Sequence, residues 1–413
     1  MGSAHGVRTG AACFLTFIAL ACGKPARPAP RAVGASSGGG DHAPVTPASK
    51  PAPPFVSLVA GGDVSCGIAA AGALYCWGRN DQGQLGDSSM EDRLLPAAVG
   101  VGLAWRAVAP GGTHSCAITE QGSVYSWGSS VRGEMGNDTI GGSAAPVRVG
   151  GAPPFTAIAS GDAHSCGLTA AGTLWCWGDN RHGELGRGDT LPSHKPVAVA
   201  PGIEFRSMTL TSHATCAISV DGKLYCWGRD NGGALGYLAS NACSEPGTAQ
   251  SWCAPMIRRT VADKRFRHAA LGFEHGCGVS DSAATYCWGM NGSGQLGIGS
   301  RDSAGPTAVV GGLRFISLVA GAAFTCGLTN AGDVYCWGSN AEGQLGRGGG
   351  ADAPEPVVLA SASRFLSVSA GKEHACALTA DHEVYCWGSN SHGQLGSIVK
   401  LRAFSPAVVV FPR

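Results

Sequence analysis

The chain has little charge and no excess of either sign. Only 14% of its 413 residues are charged, and 29 lysines and arginines against 28 acidic residues leave a net charge of +1. Such a balance gives no global field to attract a polyanion, so nucleic acid is not an expected partner. The one local basic cluster, Arg258, Arg259, Lys264, Arg265 and Arg267, reads most simply as a solvated face. The apolar run at residues 11–21 is eleven residues long, too short to span a bilayer. Sustained helical periodicity is missing from residues 55–413, which argues against a helical or α/β architecture. Phosphate loops, zinc-protease motifs, nucleophile elbows and sialidase-type Asp-boxes are absent too, so motif-borne enzyme chemistry has no foothold.

What the sequence does contain is a repeat. An aromatic-(Cys/Ser)-Trp-Gly core returns seven times, at Trp77, Trp127, Trp177, Trp227, Trp288, Trp337 and Trp387, with separations of 50, 50, 50, 61, 49 and 50 residues. A fixed period of this size marks a repeat architecture. Each unit holds four short runs of β-branched and aromatic residues bounded by Gly, Pro and Asp, which read as strands. Dipeptides such as Asp221-Gly222 between the last two supply the positive φ of a tight hairpin. Four strands in each of seven units predict an all-β, seven-bladed propeller. Seven proline-led strands, from Pro96 to Pro406, are offset from seven hairpins. That offset predicts a ring closed by the C-terminal strand, which completes blade 1 and removes an exposed edge.

Asn180-Arg-His-Gly-Glu-Leu-Gly, Asn340-Ala-Glu-Gly-Gln-Leu-Gly and Asn390-Ser-His-Gly-Gln-Leu-Gly each follow a Trp-Gly, and entries such as Gly161-Asp-Ala-His-Ser-Cys precede the hairpins. This pattern resembles the regulator of chromosome condensation repeat over residues 55–413. The resemblance implies the seven-bladed propeller. It extends to two kinds of relative: a nuclear nucleotide-exchange factor that binds a small GTPase and chromatin, and secreted bacterial members that include a β-lactamase inhibitor. Fold alone does not choose between such functions.

The first 54 residues set the expected compartment. Arg8, the apolar run and the small residues before Cys22 read as a signal peptide over residues 1–21. Cys22 at the cleavage point resembles a bacterial lipobox, so it is the lipidation candidate; Ala19-x-Ala21 fits ordinary cleavage as well. Residues 22–54 follow as a tether, with eight prolines and no aromatic residue, a composition expected to be disordered. Gly23 after the cysteine points to an outer-membrane lipoprotein, facing periplasm or cell surface; the alternative is a secreted soluble protein. An exported protein would meet neither chromatin nor a nuclear small GTPase, so neither is expected as a partner.

Cysteine usage agrees with export. Six pairs flank hairpin turns at one spacing: Cys66 with Cys76, Cys166 with Cys176, Cys216 with Cys226, Cys277 with Cys287, Cys326 with Cys336, and Cys376 with Cys386. Cross-strand neighbours lie within disulfide reach, whereas zinc knuckles need shorter spacings. Cys116 faces Ser126 and is the expected free thiol. His114 nearby invites a Cys-His nucleophile, against which stands an orphan core cysteine. Histidines recur at His114, His164, His213, His275 and His374, with Val64 and Phe324 in the other two units. They predict either an axial metal or ligand ring or, preferably, a structural hydrogen bond within each blade.

Between Trp227 and Pro255 the chain takes 28 residues where other units take 18 or 19. The insertion carries Cys243 and Cys253, expected as a seventh disulfide, together with Tyr237, Leu238 and Trp252, and Arg258 and Arg259 follow. A pinned loop with a large aromatic suits a binding surface; a drifted insertion is the bland alternative, since lengthening a loop costs little. The expectation is a monomeric, membrane-anchored interaction propeller with an unidentified protein partner and neither cofactor nor metal. Its alternatives are an enzyme acting on cell-wall or extracellular glycans through an axial pocket, or a purely structural envelope component.

Overall fold

The computed structural model describes residues 53–412 except 231, 238, 240, 244–251, 262, 399 and 400, so the expected signal peptide, Cys22 and the tether up to residue 52 lie outside the described residues. Seven antiparallel sheets follow one another along the chain, at residues 55–99, 105–148, 155–199, 205–260, 266–308, 315–358 and 365–408. Blade 3 shows the common plan, a meander of Phe155–Ser160, His164–Thr169, Leu174–Gly178 and Ser193–Val199. The second and third strands are almost wholly buried, because each blade is covered on both faces by its neighbours. Hence they do not alternate apolar with exposed polar residues, and even His164 and Ser165 at the start of the second strand are buried. The fourth strand is the outer edge, where Pro196 can lack an N–H without breaking a ladder. The first strands of all seven blades line a central channel of about 700 Å3. Among the described residues the one helical element is the 3-10 turn Val310–Gly312, and no helix is long and apolar enough to cross a membrane.

The repeated motifs turn out to be two halves of one contact between blades. Trp227 Nε1 donates to the Glu184 carbonyl of the preceding blade at 2.7 Å. The same bond joins Trp127 to Gln84, Trp177 to Glu134, Trp288 to Ala234 and Trp387 to Gln344, at 2.8–2.9 Å. Gly186, which ends the blade 3 motif, has φ of 67°, and a Cβ there would lie 2.8 Å from Trp227 Nε1. Only glycine allows the loop this close to the indole.

The histidines bond across blades, not within them. His114 Nε2 meets Ser165 Oγ at 2.6 Å, His164 meets Thr215 at 2.9 Å, His275 meets Thr325 at 2.8 Å and His374 meets Ser65 at 2.8 Å. Burial lowers all four to a pKa of about 4, so they are neutral at ordinary pH. His213 does not belong to this set: the equivalent place at the start of its strand is occupied by Ala214.

The C-terminal strand does complete the ring, but in blade 7 rather than in blade 1. Arg402–Val408 pairs with Val384–Ser389, while blade 1 has its own four strands. Each proline-led strand folds back on the Trp-Gly strand that precedes it, as where Val197 pairs with Cys176, so no strand is exchanged between the ends. Blades 7 and 1 close by facial packing that uses the ordinary interblade bonds. Trp77 Nε1 and Ser65 Oγ both donate to the Gln394 carbonyl, at 3.0 and 2.9 Å. Beyond the last strand, Phe411 packs its ring 5.5 Å from those of Phe55 and Tyr75. The C-terminal segment therefore seals the seam as a plug.

Candidate partner site at the junction of blades 3 and 4

The connections between first and second strands, the loops after each third strand and the blade 4 insertion all emerge on one face of the ring, because alternate strands in a meander run the same way. On this face the insertion adds a two-residue strand, Asn241–Ala242, against a nine-residue fourth strand, Trp252–Thr260, which makes blade 4 the five-stranded sheet. Cys243 and Cys253 are bridged, with Cα atoms 6.0 Å apart, and Cys253 is buried. Trp252 and Met256 stand out, 42% and 61% exposed. The motif loop of blade 3 docks on the same strand: a Cβ on Gly183 would meet Pro255 Cα at 2.2 Å, and Gly188 N–H donates to the Pro255 carbonyl at 2.9 Å.

Of the other residues expected at this site, Arg258 lies over the Tyr237 ring, 6.0 Å from its centroid. Tyr237 packs into the blade core and donates its hydroxyl to the Cys226 carbonyl at 2.9 Å, so it is a structural anchor for the insertion and not a contact surface. Burial pushes its phenol well above the usual range. Leu238 lies outside the described residues. Arg258 and Arg259 are exposed, but as successive strand residues they point to opposite faces of the sheet. At about 3.3 Å per residue they lie roughly 20 Å along the strand from Trp252. Arg265 donates to the Asp221 carbonyl at 2.8 Å and Arg267 to that of Ser280 at 3.2 Å, while Lys264 pairs with Asp263 at 3.0 Å, so these three basic residues have local partners.

A group that the sequence pattern does not bring together sits beside Pro255. His182 and Glu184 come from the blade 3 motif loop and His213 from blade 4. His182 Nδ1 lies 2.9 Å from Glu184 Oε1, His213 Nδ1 lies 3.6 Å from the same oxygen, and the two rings are 5.0 Å apart. Burial alone would raise the Glu184 carboxyl, but the hydrogen bond from His182 and the nearby His213 imidazole outweigh it and hold the group well below the ordinary carboxylate range. Nearby Asp179 is buried against Arg181 at 2.9 Å and Arg132 at 3.7 Å. Among the described residues, His182, Glu184 and His213 are the group of ligand-type side chains close enough together to hold a metal ion.

The RCC1-like domain model matches residues 32–314, more than half of the chain, and models of the regulator of chromosome condensation (RCC1) repeat match residues 315–344, 365–394 and 331–378. The chain belongs to the RCC1-like family. No curated protein matches it. Among solved structures, human WBSCR16 is similar at 21% identity with a TM-score of 0.72, over 80% of this chain and 88% of that one. Prp20p from Saccharomyces cerevisiae, whose binding properties to Gsp1p and histones were studied with its structure, is similar at 20% identity and a TM-score of 0.71, over 86% and 87% of the two chains. Yeast RCC1 (Prp20) bound to Kap60 gives 19% identity and a TM-score of 0.69, over 89% and 90%. At these identities the likeness is one of fold.

Within the RCC1-like repeats, the six hairpin cystines form as the spacing predicts. Cys66 is bridged to Cys76, Cys166 to Cys176 and Cys216 to Cys226. Likewise Cys277 is bridged to Cys287, Cys326 to Cys336 and Cys376 to Cys386. All six pairs sit at directly opposed positions, their Cα atoms 4.0–4.1 Å apart. Cys116 is unpaired and buried, 2.9 Å from Ser126 Oγ and 3.2 Å from Ser165 Oγ, and burial raises its thiol pKa. A buried, protonated thiol is the opposite of an activated nucleophile. In the axial channel Asp162 is the one carboxylate among the described lining residues, beside the basic residues His268 and Lys372, so no acidic pair converges there.

Proposed function

We propose that this RCC1-like protein is an exported interaction propeller, anchored through lipid on Cys22, that captures a protein partner on the face bearing the blade 4 insertion. The observation that carries this reading is Trp252: a large aromatic, 42% exposed, on the one blade that departs from the common plan. Its backbone is fixed by ladder bonds to Asp230 and Ala242 and by the adjacent Cys253. A preordered aromatic loses little entropy on binding. The balanced charge favours a protein over a nucleic acid. Gsp1p and histones belong to the description of the yeast protein; for this chain, export would make the partner an envelope or extracellular protein. Trp252→Ala is expected to abolish partner capture from envelope extracts while the melting temperature stays within about 2 °C, a surface substitution being nearly neutral. Full capture by the folded variant would move the site elsewhere on the ring. Metabolic labelling with palmitate is expected in the wild type and absent in Cys22→Ala; labelling that survives the change would exclude this anchor.

A further inference from the structure

We propose that His182, Glu184 and His213 form a binding site for one divalent transition-metal ion of the zinc class, clasped between blades 3 and 4. At four other junctions the position of Glu184 is glutamine, and its Oε1 accepts the backbone N–H two residues earlier, as in Gln84 with Gln82 at 2.8 Å and Gln295 with Ser293 at 2.9 Å. Glu184 keeps that turn through Oε2, which accepts the His182 N–H at 2.9 Å. Where glutamine would place an NH2 donor, Glu184 instead presents Oε1, a buried anionic acceptor. Both imidazoles turn an Nδ1 towards it. Blade 3's loop supplies one ring at the third motif position, and blade 4 supplies the other from the residue just before its second strand.

The donor set has the right composition and nearly the right size. Zinc with two imidazole nitrogens and a carboxylate oxygen at about 2.1 Å in tetrahedral geometry places its ligand atoms about 3.4 Å apart. The two separations from Oε1 are 2.9 and 3.6 Å, and all three ligand atoms lie within 4.8 Å of one another. Two imidazoles and one carboxylate suit zinc or a neighbouring first-row ion better than calcium or magnesium. The Glu184 backbone is fixed from behind, since its carbonyl accepts from Trp227 Nε1 at 2.7 Å and Thr215 Oγ1 at 3.1 Å. Side-chain exposures of 11% for His182 and 23% for His213 leave an approach from solvent. Three protein ligands leave a fourth coordination position open for water, unlike a closed structural site.

Isothermal titration of the chelator-stripped full chain with Zn2+ is expected to show one ion per chain with a dissociation constant at or below about 1 µM. Co2+ in its place is expected to give visible d–d absorption. Glu184→Gln installs the residue used at four other junctions and so keeps the fold; it and His213→Ala are each expected to weaken Zn2+ binding at least about a hundredfold. Circular dichroism and the melting temperature establish that both variants are folded. Absence of Zn2+ and Co2+ binding by the wild type, or binding by either folded variant as tight as the wild type's, overturns the site.

Discussion

Ala283 shows how strictly the hairpin turns constrain single residues. Five blades place glycine at this turn position, with φ between 77° and 84° at Gly72, Gly122, Gly172, Gly222 and Gly332. Blades 5 and 7 put Ala283 and His382 there, both at φ of 64°. A Cβ in the left-handed region costs roughly 1 kcal/mol. His382 offsets this by donating Nδ1–H to the Phe55 carbonyl at 2.7 Å across the seam, a bond that alanine cannot make. Ala283→Gly is therefore expected to raise stability by about 0.5–1 kcal/mol, the greater entropy of the unfolded glycine limiting the gain. Denaturant midpoints check this, and an unchanged or lower midpoint would contradict it.

At the scale of the element, blade 2 is the natural control for the cystine-bridged hairpins. Cys116 and Ser126 are directly opposed, like the bridged pairs, and their side chains already touch. Closing an eleven-residue loop contributes up to about 2.7 kcal/mol in the chain-entropy account. Ser126→Cys is expected to consume the remaining thiol, seen as lost alkylation of Cys116 in non-reduced protein, and to raise the melting temperature in a way that reductant reverses. A thiol that still alkylates after denaturation would show that the geometry does not close. Hairpins such as these were legible in the sequence, because a turn and two strands lie within some twenty residues. The outer strands were not. A proline-led run stands between two Trp-Gly units, and nothing in its composition says which one it joins; the short return onto Cys176 and Gly178 decides it.

Over the whole molecule the interblade histidines make stability a function of pH. His114, His275 and His374 each have a folded pKa of about 4 against an ordinary value of 6.5. For a base whose folded value is depressed, the contribution is complete above the unfolded value and is lost as pH falls from about 6.5 towards 4. Three such groups give a slope of up to about 4 kcal/mol per pH unit in that window. Melting temperatures taken from pH 7 to 4 are expected to fall, and less steeply in His114→Gln; a flat profile would mean that these rings are already solvated. The candidate site was half legible at this scale. Trp252 announced itself by breaking the period. The histidine–glutamate cluster did not, because His213 lies 29 and 31 residues beyond its two partners and meets them only when one loop docks on the next blade. Two small signals were present: glutamate where most units carry glutamine, and a histidine displaced by one position. Closure without strand exchange, by facial contacts and bonds such as Lys372 N–H to the Gly62 carbonyl at 2.7 Å, has a further consequence. The seam between Trp77 and Gln394 is built like the other junctions, so the place where the polypeptide is cut is arbitrary. Phe55 and Phe411 already touch, and a short linker between them with new termini opened at residues 100–104 is expected to yield a circular permutant that folds to the same ring.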